Sequence, residues 1–119
     1  MTINIPGIDV KKGLDLYDGE EDIYLIVLRS YAKNTPAVVD KIRNVSQETL
    51  GDYAISVHGI KGTSANIGAV NIQTAAAELE KLAKAGNLDE VLARNKNLIN
   101  EIENTLQGII TWLEQNPDD

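Results

Sequence analysis

The chain is 119 residues long, 43% hydrophobic and 24% charged, which describes one domain, 1–119, with room for a single core. Eighteen acidic residues against eleven Lys and Arg give a net charge of −7, a field that repels nucleic-acid backbones, and the longest cationic run is Lys11-Lys12. Zero cysteines exclude disulfides, thiol and redox chemistry and Cys-ligated metals, one histidine excludes a two-histidine metal site, and no apolar run approaches the ~20 residues of a membrane span.

The first turn signals, Pro6-Gly7 and Asp18-Gly19, bracket a short lead-in helix from Asp9, its N-cap, to Tyr17. A long helix follows from about Glu20 to Arg43, with Glu20-Glu21-Asp22 at its start and Lys41 and Arg43 at its end, as the helix dipole favours. Pro36 lies inside it and predicts a kink or brief break near Ala32 to Thr35. Ser46 caps a second long helix in which Leu50, Tyr53, Ala54, Val57, Ile60, Ser64 and Ile67 recur every three or four residues, up to a stop at Gly68. A third helix, Val70 to Ala85, turns Ile72, Ala75, Ala76, Leu79, Leu82 and Ala83 inward and ends at Gly86-Asn87. The fourth carries Leu88, Val91, Leu92, Leu98, Ile99, Ile102, Leu106, Ile109, Ile110 and Leu113 in sustained helical order and ends before Pro117-Asp118-Asp119.

With no strand alternation and only short connections, successive helices become antiparallel neighbours. The predicted fold is all-α, an up-down-up-down four-helix bundle with a short N-terminal lead-in helix. Phenylalanine is absent, so Leu, Ile, Val and Ala build the core, with Trp112 and Tyr17, Tyr24, Tyr31 and Tyr53 packing in it or at its rim. One apolar face on the fourth helix makes a monomer the simpler reading. Residues 1–20 lack the order of a signal peptide, and the chain reads as cytoplasmic, with no membrane or nucleic-acid partner. Met1 and the charged tail fit a free-standing small protein, the other possibility being a segment of a hybrid kinase.

The single histidine is the residue to explain. At about 100° per residue, His58 lies roughly 120° from the centre of the apolar stripe of its helix and so points to solvent. Ile55, Lys61, Gly62 and Ala65 share its face, and Ser64, which could look like a nucleophile, faces the core. Gly59 and Gly62 cost roughly 1 kcal/mol each in mid-helix relative to alanine, and nothing within the helix asks for them. A removed side chain beside a nucleophile lets another protein's surface approach, with Ile55 and Ala65 as its apolar edge. An imidazole with an ordinary pKa of ~6.5 keeps a free ring nitrogen able to attack phosphorus, and an ammonium one turn away can neutralise a phosphoryl group. A lone surface histidine is by itself most often a solvated residue; the costly glycines and the lysine are what shift the reading.

The run His58-Gly59-Ile60-Lys61-Gly62-Thr63-Ser64-Ala65-Asn66-Ile67-Gly68-Ala69 resembles the signature of histidine-containing phosphotransfer (HPt) domains of multistep two-component relays. That family's pattern is His, two residues, Lys-Gly, small residues, then an apolar residue and Gly-Ala. The likeness extends over nearly the whole chain, including Gly13-Leu14, Gly19 to Tyr31 and Leu79-Glu80. It implies a helical bundle that shuttles a phosphoryl group between aspartates of response-regulator receiver domains, or from a hybrid sensor kinase. His58 is then the acceptor, Lys61 assists electrostatically, and Gly62 keeps the approach open. Ile55, Gly59, Gly62 and Ala65 form the docking edge. Gly59 departs from the family, where a better helix former is common at that position. No cofactor of the chain's own is implied; Mg²⁺ is expected in the partner receiver. Lacking a Gly-rich nucleotide loop, the chain is a carrier and no kinase by itself. The competing reading is a helical docking module for receiver or kinase domains whose histidine takes no phosphate.

Overall fold

A computed structural model describes residues 2–117; Met1 and the last two residues of the acidic tail, Asp118 and Asp119, lie outside the described residues. Five α-helices follow one another: α1 (Val10–Asp15), α2 (Glu21–Ile42), α3 (Leu50–Ala65), α4 (Val70–Lys84) and α5 (Leu88–Gln115). The described residues contain no strand. α2 packs on α3 and α5, and α4 on α3 and α5, so the four long helices close a ring around one core. The bundle measures 47 × 24 × 18 Å, its long dimension set by α5, whose 28 residues span ~42 Å.

The elements start and stop for local reasons. The Asp9 side chain accepts the Lys12 N–H at 3.1 Å and caps α1. α2 begins with Glu21 and Asp22 and ends with Lys41, complementing its dipole. The helix runs unbroken through Pro36, so of the kink or brief break expected near Ala32 to Thr35 the break does not occur. Pro36 sits on the solvent side while Thr35 and Val39, buried on either side of it, hold the helix to the core. The helix expected from Ser46 starts instead as a 3-10 turn, Gln47–Thr49, in which the Thr49 hydroxyl accepts the Ser46 N–H at 2.8 Å, and becomes α-helical at Leu50. It ends at Ala65, three residues before the expected stop, and the Ala69 N–H bonds back to the Ser64 carbonyl across the turn. Gly68 takes the positive φ of 82° that this turn needs.

The core is aliphatic, with Leu28, Val39, Ile42, Val57, Ile72, Val91, Ile102 and Ile109 fully enclosed and Trp112 at its edge. Leu92 and Ile110, part of the apolar order of the fourth helix, are exposed, because the apolar stripe of α5 is wider than the contact it makes. Two polar residues take places on the buried face: Asn95 accepts the Tyr53 hydroxyl and donates to the Ile42 carbonyl, both at 2.7 Å, and Thr105 is enclosed under Gly7. The N-terminal segment supplies core residues that helical periodicity did not suggest. Ile3 and Ile5 are buried, Ile5 lying against Gly108 of α5. The backbone of Asp9 and Gly13 then crosses Gly68, with the Asp9 N–H donating to the Gly68 carbonyl at 2.9 Å. Tyr17 and Tyr24 donate to the Asn66 and Ile67 carbonyls, each at 2.7 Å, so the α3–α4 turn is pinned from below.

Candidate functional site

α3 buries Leu50, Tyr53, Ala54, Val57, Ile60 and Ser64, which leaves the opposite face for the site. His58 stands there with its side chain 64% exposed, as the wheel predicts, and Ser64 is indeed enclosed, bonded to the Tyr31 hydroxyl at 2.9 Å. Ile55, one turn before the histidine, is 72% exposed, and Ala65 is half-buried at the other end of the ridge. A Cβ placed on Gly59 or Gly62 would meet nothing within 4 Å. The bundle itself therefore does not require either glycine, and their cost in helix stability has no internal return.

The residue that organises this face comes from α4. Glu80 is buried, its side chain only 7% exposed, on the same stripe as Ile72, Ala76, Leu79 and Ala83. Its Oε1 accepts Lys61 Nζ at 2.7 Å; its Oε2 takes His58 Nδ1 at 2.8 Å and Lys84 Nζ at 3.0 Å. The Lys61 ammonium, Lys84 and the His58 ring hold the Glu80 carboxyl down at about 2, from an ordinary 4.5, against the opposing push of burial. An ionised carboxylate only accepts hydrogen bonds. In the neutral imidazole Nδ1 therefore carries the proton, and Nε2, on the outer side of an exposed ring, keeps the lone pair.

Lys61 is thus no solvated charge, being 32% exposed and tied to Glu80. Glu80 and Lys84 were not among the site residues expected from the sequence. A single helical wheel cannot say which neighbouring helix meets its outer face. The legible signal was a lone charge on an otherwise apolar stripe of α4, since buried carboxylates are rare unless paired. A groove of about 520 Å³ between α3 and α4 borders His58 and is lined also by Leu50, Gly51, Ala54, Ile55, Glu80, Ala83 and Lys84. A second, of about 390 Å³ between α2 and α3, has Ile55 and Gly59 on its edge and does not reach the histidine. The exposed ridge of α3 therefore stands between two hollows, with the imidazole on the α4 side. Among the described residues no helix is long and apolar enough to cross a membrane.

A helical bundle that presents one oriented imidazole on an open ridge, with cations beside it, leaves that ring accessible to another macromolecule. Residues 27–112 match the Hpt domain family model, and the chain belongs to that family of histidine phosphotransfer domains, carriers in phosphorelays and not kinases. The match runs from the second turn of α2 to Trp112 and leaves α1 and the extended N-terminal segment outside it. Neither the curated proteins nor the solved structures compared with the chain match it.

Proposed function

We propose that His58 is the phosphoryl acceptor of a cytoplasmic phosphorelay carrier, taking the group from a receiver-domain aspartate or a hybrid kinase and passing it to a response-regulator receiver aspartate. The observation that carries this reading is the Nδ1–Glu80 contact, which leaves Nε2 as the nucleophile on an exposed ring. In the transfer, Nε2 attacks phosphorus in line, the P–N bond forms, and the P–O bond to the donor aspartate breaks, releasing its carboxylate. The Nδ1 proton stays where it is. The ring becomes an imidazolium as the bond forms, and the Glu80 carboxylate already faces the side where that charge appears. Because the ring remains protonated, the phosphoryl stays easily displaced, which suits a carrier that must give it up again.

Lys61 lends positive charge from one turn beyond the histidine, while the receiver brings the Mg²⁺ and the acidic pocket. Positioning and charge neutralisation supply most of the catalysis in such a step. Ile55, Gly59, Gly62 and Ala65 form the ridge on which the receiver sits, the open space over the two glycines admitting its loops. The chain acts as a monomer in this scheme.

The test is transfer of labelled phosphate from a panel of phosphorylated receivers to the wild type and to His58→Gln. Label on the wild type alone, lost in acid and kept in alkali, is the expected result. Binding of receivers without any transfer would replace this reading with the unphosphorylated docking module.

A further inference from the structure

Glu80 carries more positive charge than it needs. Its single negative charge is shared by two lysines, so with a neutral imidazole the cluster of Glu80, Lys61, Lys84 and His58 has a formal charge of one positive unit before any phosphate arrives. The two lysines are not equivalent. Lys61 has Oε1 to itself and is two-thirds covered, whereas Lys84 is 66% exposed and shares Oε2 with the imidazole. Lys84 and His58 also line the same groove, and Lys61 does not. Both bind one oxygen, so the Lys84 ammonium and His58 Nδ1 lie within ~6 Å of each other.

Phosphorylation changes this cluster in a definite direction. When Nε2 takes the phosphoryl, the ring gains one positive charge, and its Nδ1–H competes more strongly for Oε2. At the same time a dianion appears at Nε2, across the ring from the Glu80 contact. The cation that is most exposed, held on the contested oxygen and mounted on a flexible four-carbon stem is the one to move.

We propose that Lys84 is a second phosphoryl-binding cation, which leaves Glu80 on phosphorylation and pairs with the phosphoryl oxygens on His58 while Lys61 remains on Glu80. The inference rests on the phosphohistidine reading above. With Lys84 counted, the phosphorylated cluster is formally neutral, two lysines and an imidazolium set against one carboxylate and the dianion. Lys84 therefore favours holding the phosphoryl between partners over losing it to an incoming water. Lys84 comes from α4, so α3 presents the nucleophile and α4 supplies both its orienting acid and its mobile cation.

The test uses the full chain and potassium phosphoramidate as donor, where the P–N bond of the donor breaks with release of ammonia and the bond to Nε2 forms. Phosphorus NMR then follows the titration of the phosphoryl group on wild type, Lys84→Gln and Lys84→Arg, and nitrogen NMR follows the lysine ammonium groups before and after loading. A cation on the phosphoryl favours its dianion, so Lys84→Gln moves the titration up by about half a pH unit and Lys84→Arg restores it. The Lys84 ammonium resonance moves on loading and that of Lys61 holds. Circular dichroism checks that each variant is folded, which the exposure of Lys84 leads one to expect. Superimposable titrations in a loaded Lys84→Gln, or an unmoved Lys84 resonance, overturn the proposal and leave the phosphohistidine intact. A wild type that takes no phosphoryl on His58 overturns both.

Discussion

Glu80 is the residue on which the electrostatics of the site converge. An unpaired carboxylate in so enclosed a place would protonate, and it stays ionised only because Lys61, Lys84 and the histidine ring surround it. Its folded value lies below the unfolded one, so its contribution to stability is complete above about 4.5 and disappears as pH falls toward about 2. Glu80→Gln should accordingly lower the urea midpoint at pH 7, with the gap to wild type closing on acidification through that window; a gap independent of pH would mean the carboxylate's charge is not what stabilises. The same variant can accept or donate through its amide and no longer fixes the Nδ1 proton, so phosphoryl transfer should slow as well. The outward placing of His58 and the presence of Lys61 on its face were legible from residue spacing on α3 alone. The acid was not, because burial of Glu80 depends on which face of α4 meets α3, a tertiary fact that one helix's pattern does not contain.

At the scale of the element, α3 has two jobs that pull its sequence in different directions. Its inner face follows the ordinary apolar rhythm, whereas its outer face keeps glycines at positions 59 and 62 over open space. Replacing either with alanine removes backbone freedom from the unfolded chain and meets no obstacle in the folded one. Gly59→Ala and Gly62→Ala should each raise stability by up to ~1 kcal/mol in chemical denaturation. Gly62 replaced by a bulky residue should keep the fold while receiver-dependent transfer slows; loss of folding instead would make the glycine structural. Helix bounds were readable to within a few residues from caps and glycines, as with Asp9, Gly68 and Gly86. The misreadings came from competition between levels. Packing of Thr35 and Val39 keeps the helix continuous across Pro36, and the hydroxyl of Thr49 favoured a 3-10 start over a full α-helical turn.

Across the whole molecule, the long helices account for the ring of packing, but one end of it is finished by residues that precede them. Ile3 and Ile5 are buried, Ile5 against Gly108 of α5, and the Asp9 backbone passes so close to Gly68 that any Cβ there would run into the Asp9 carbonyl. Gly68 also sits at a φ of 82°, costly for other residues. This part of the core was hidden from helical periodicity because it is extended, its only mark being the alternation of Ile3 and Ile5. Gly68→Ala should therefore cost about 2 kcal/mol or more, the strain at the turn adding to the loss of the crossing segment.

The order in which the chain can assemble follows from that crossing. Tyr17 reaches its partner 49 residues onward and Tyr24 reaches 43, so neither bond can form until the turn between α3 and α4 exists. We expect the opening segment to settle last and to come away first, as a unit of its own clasped over the bundle. In native-state hydrogen exchange the Asp9 amide should exchange through an opening that leaves the amides of α5 protected, and in Gly68→Ala that opening should become more frequent while theirs scarcely changes.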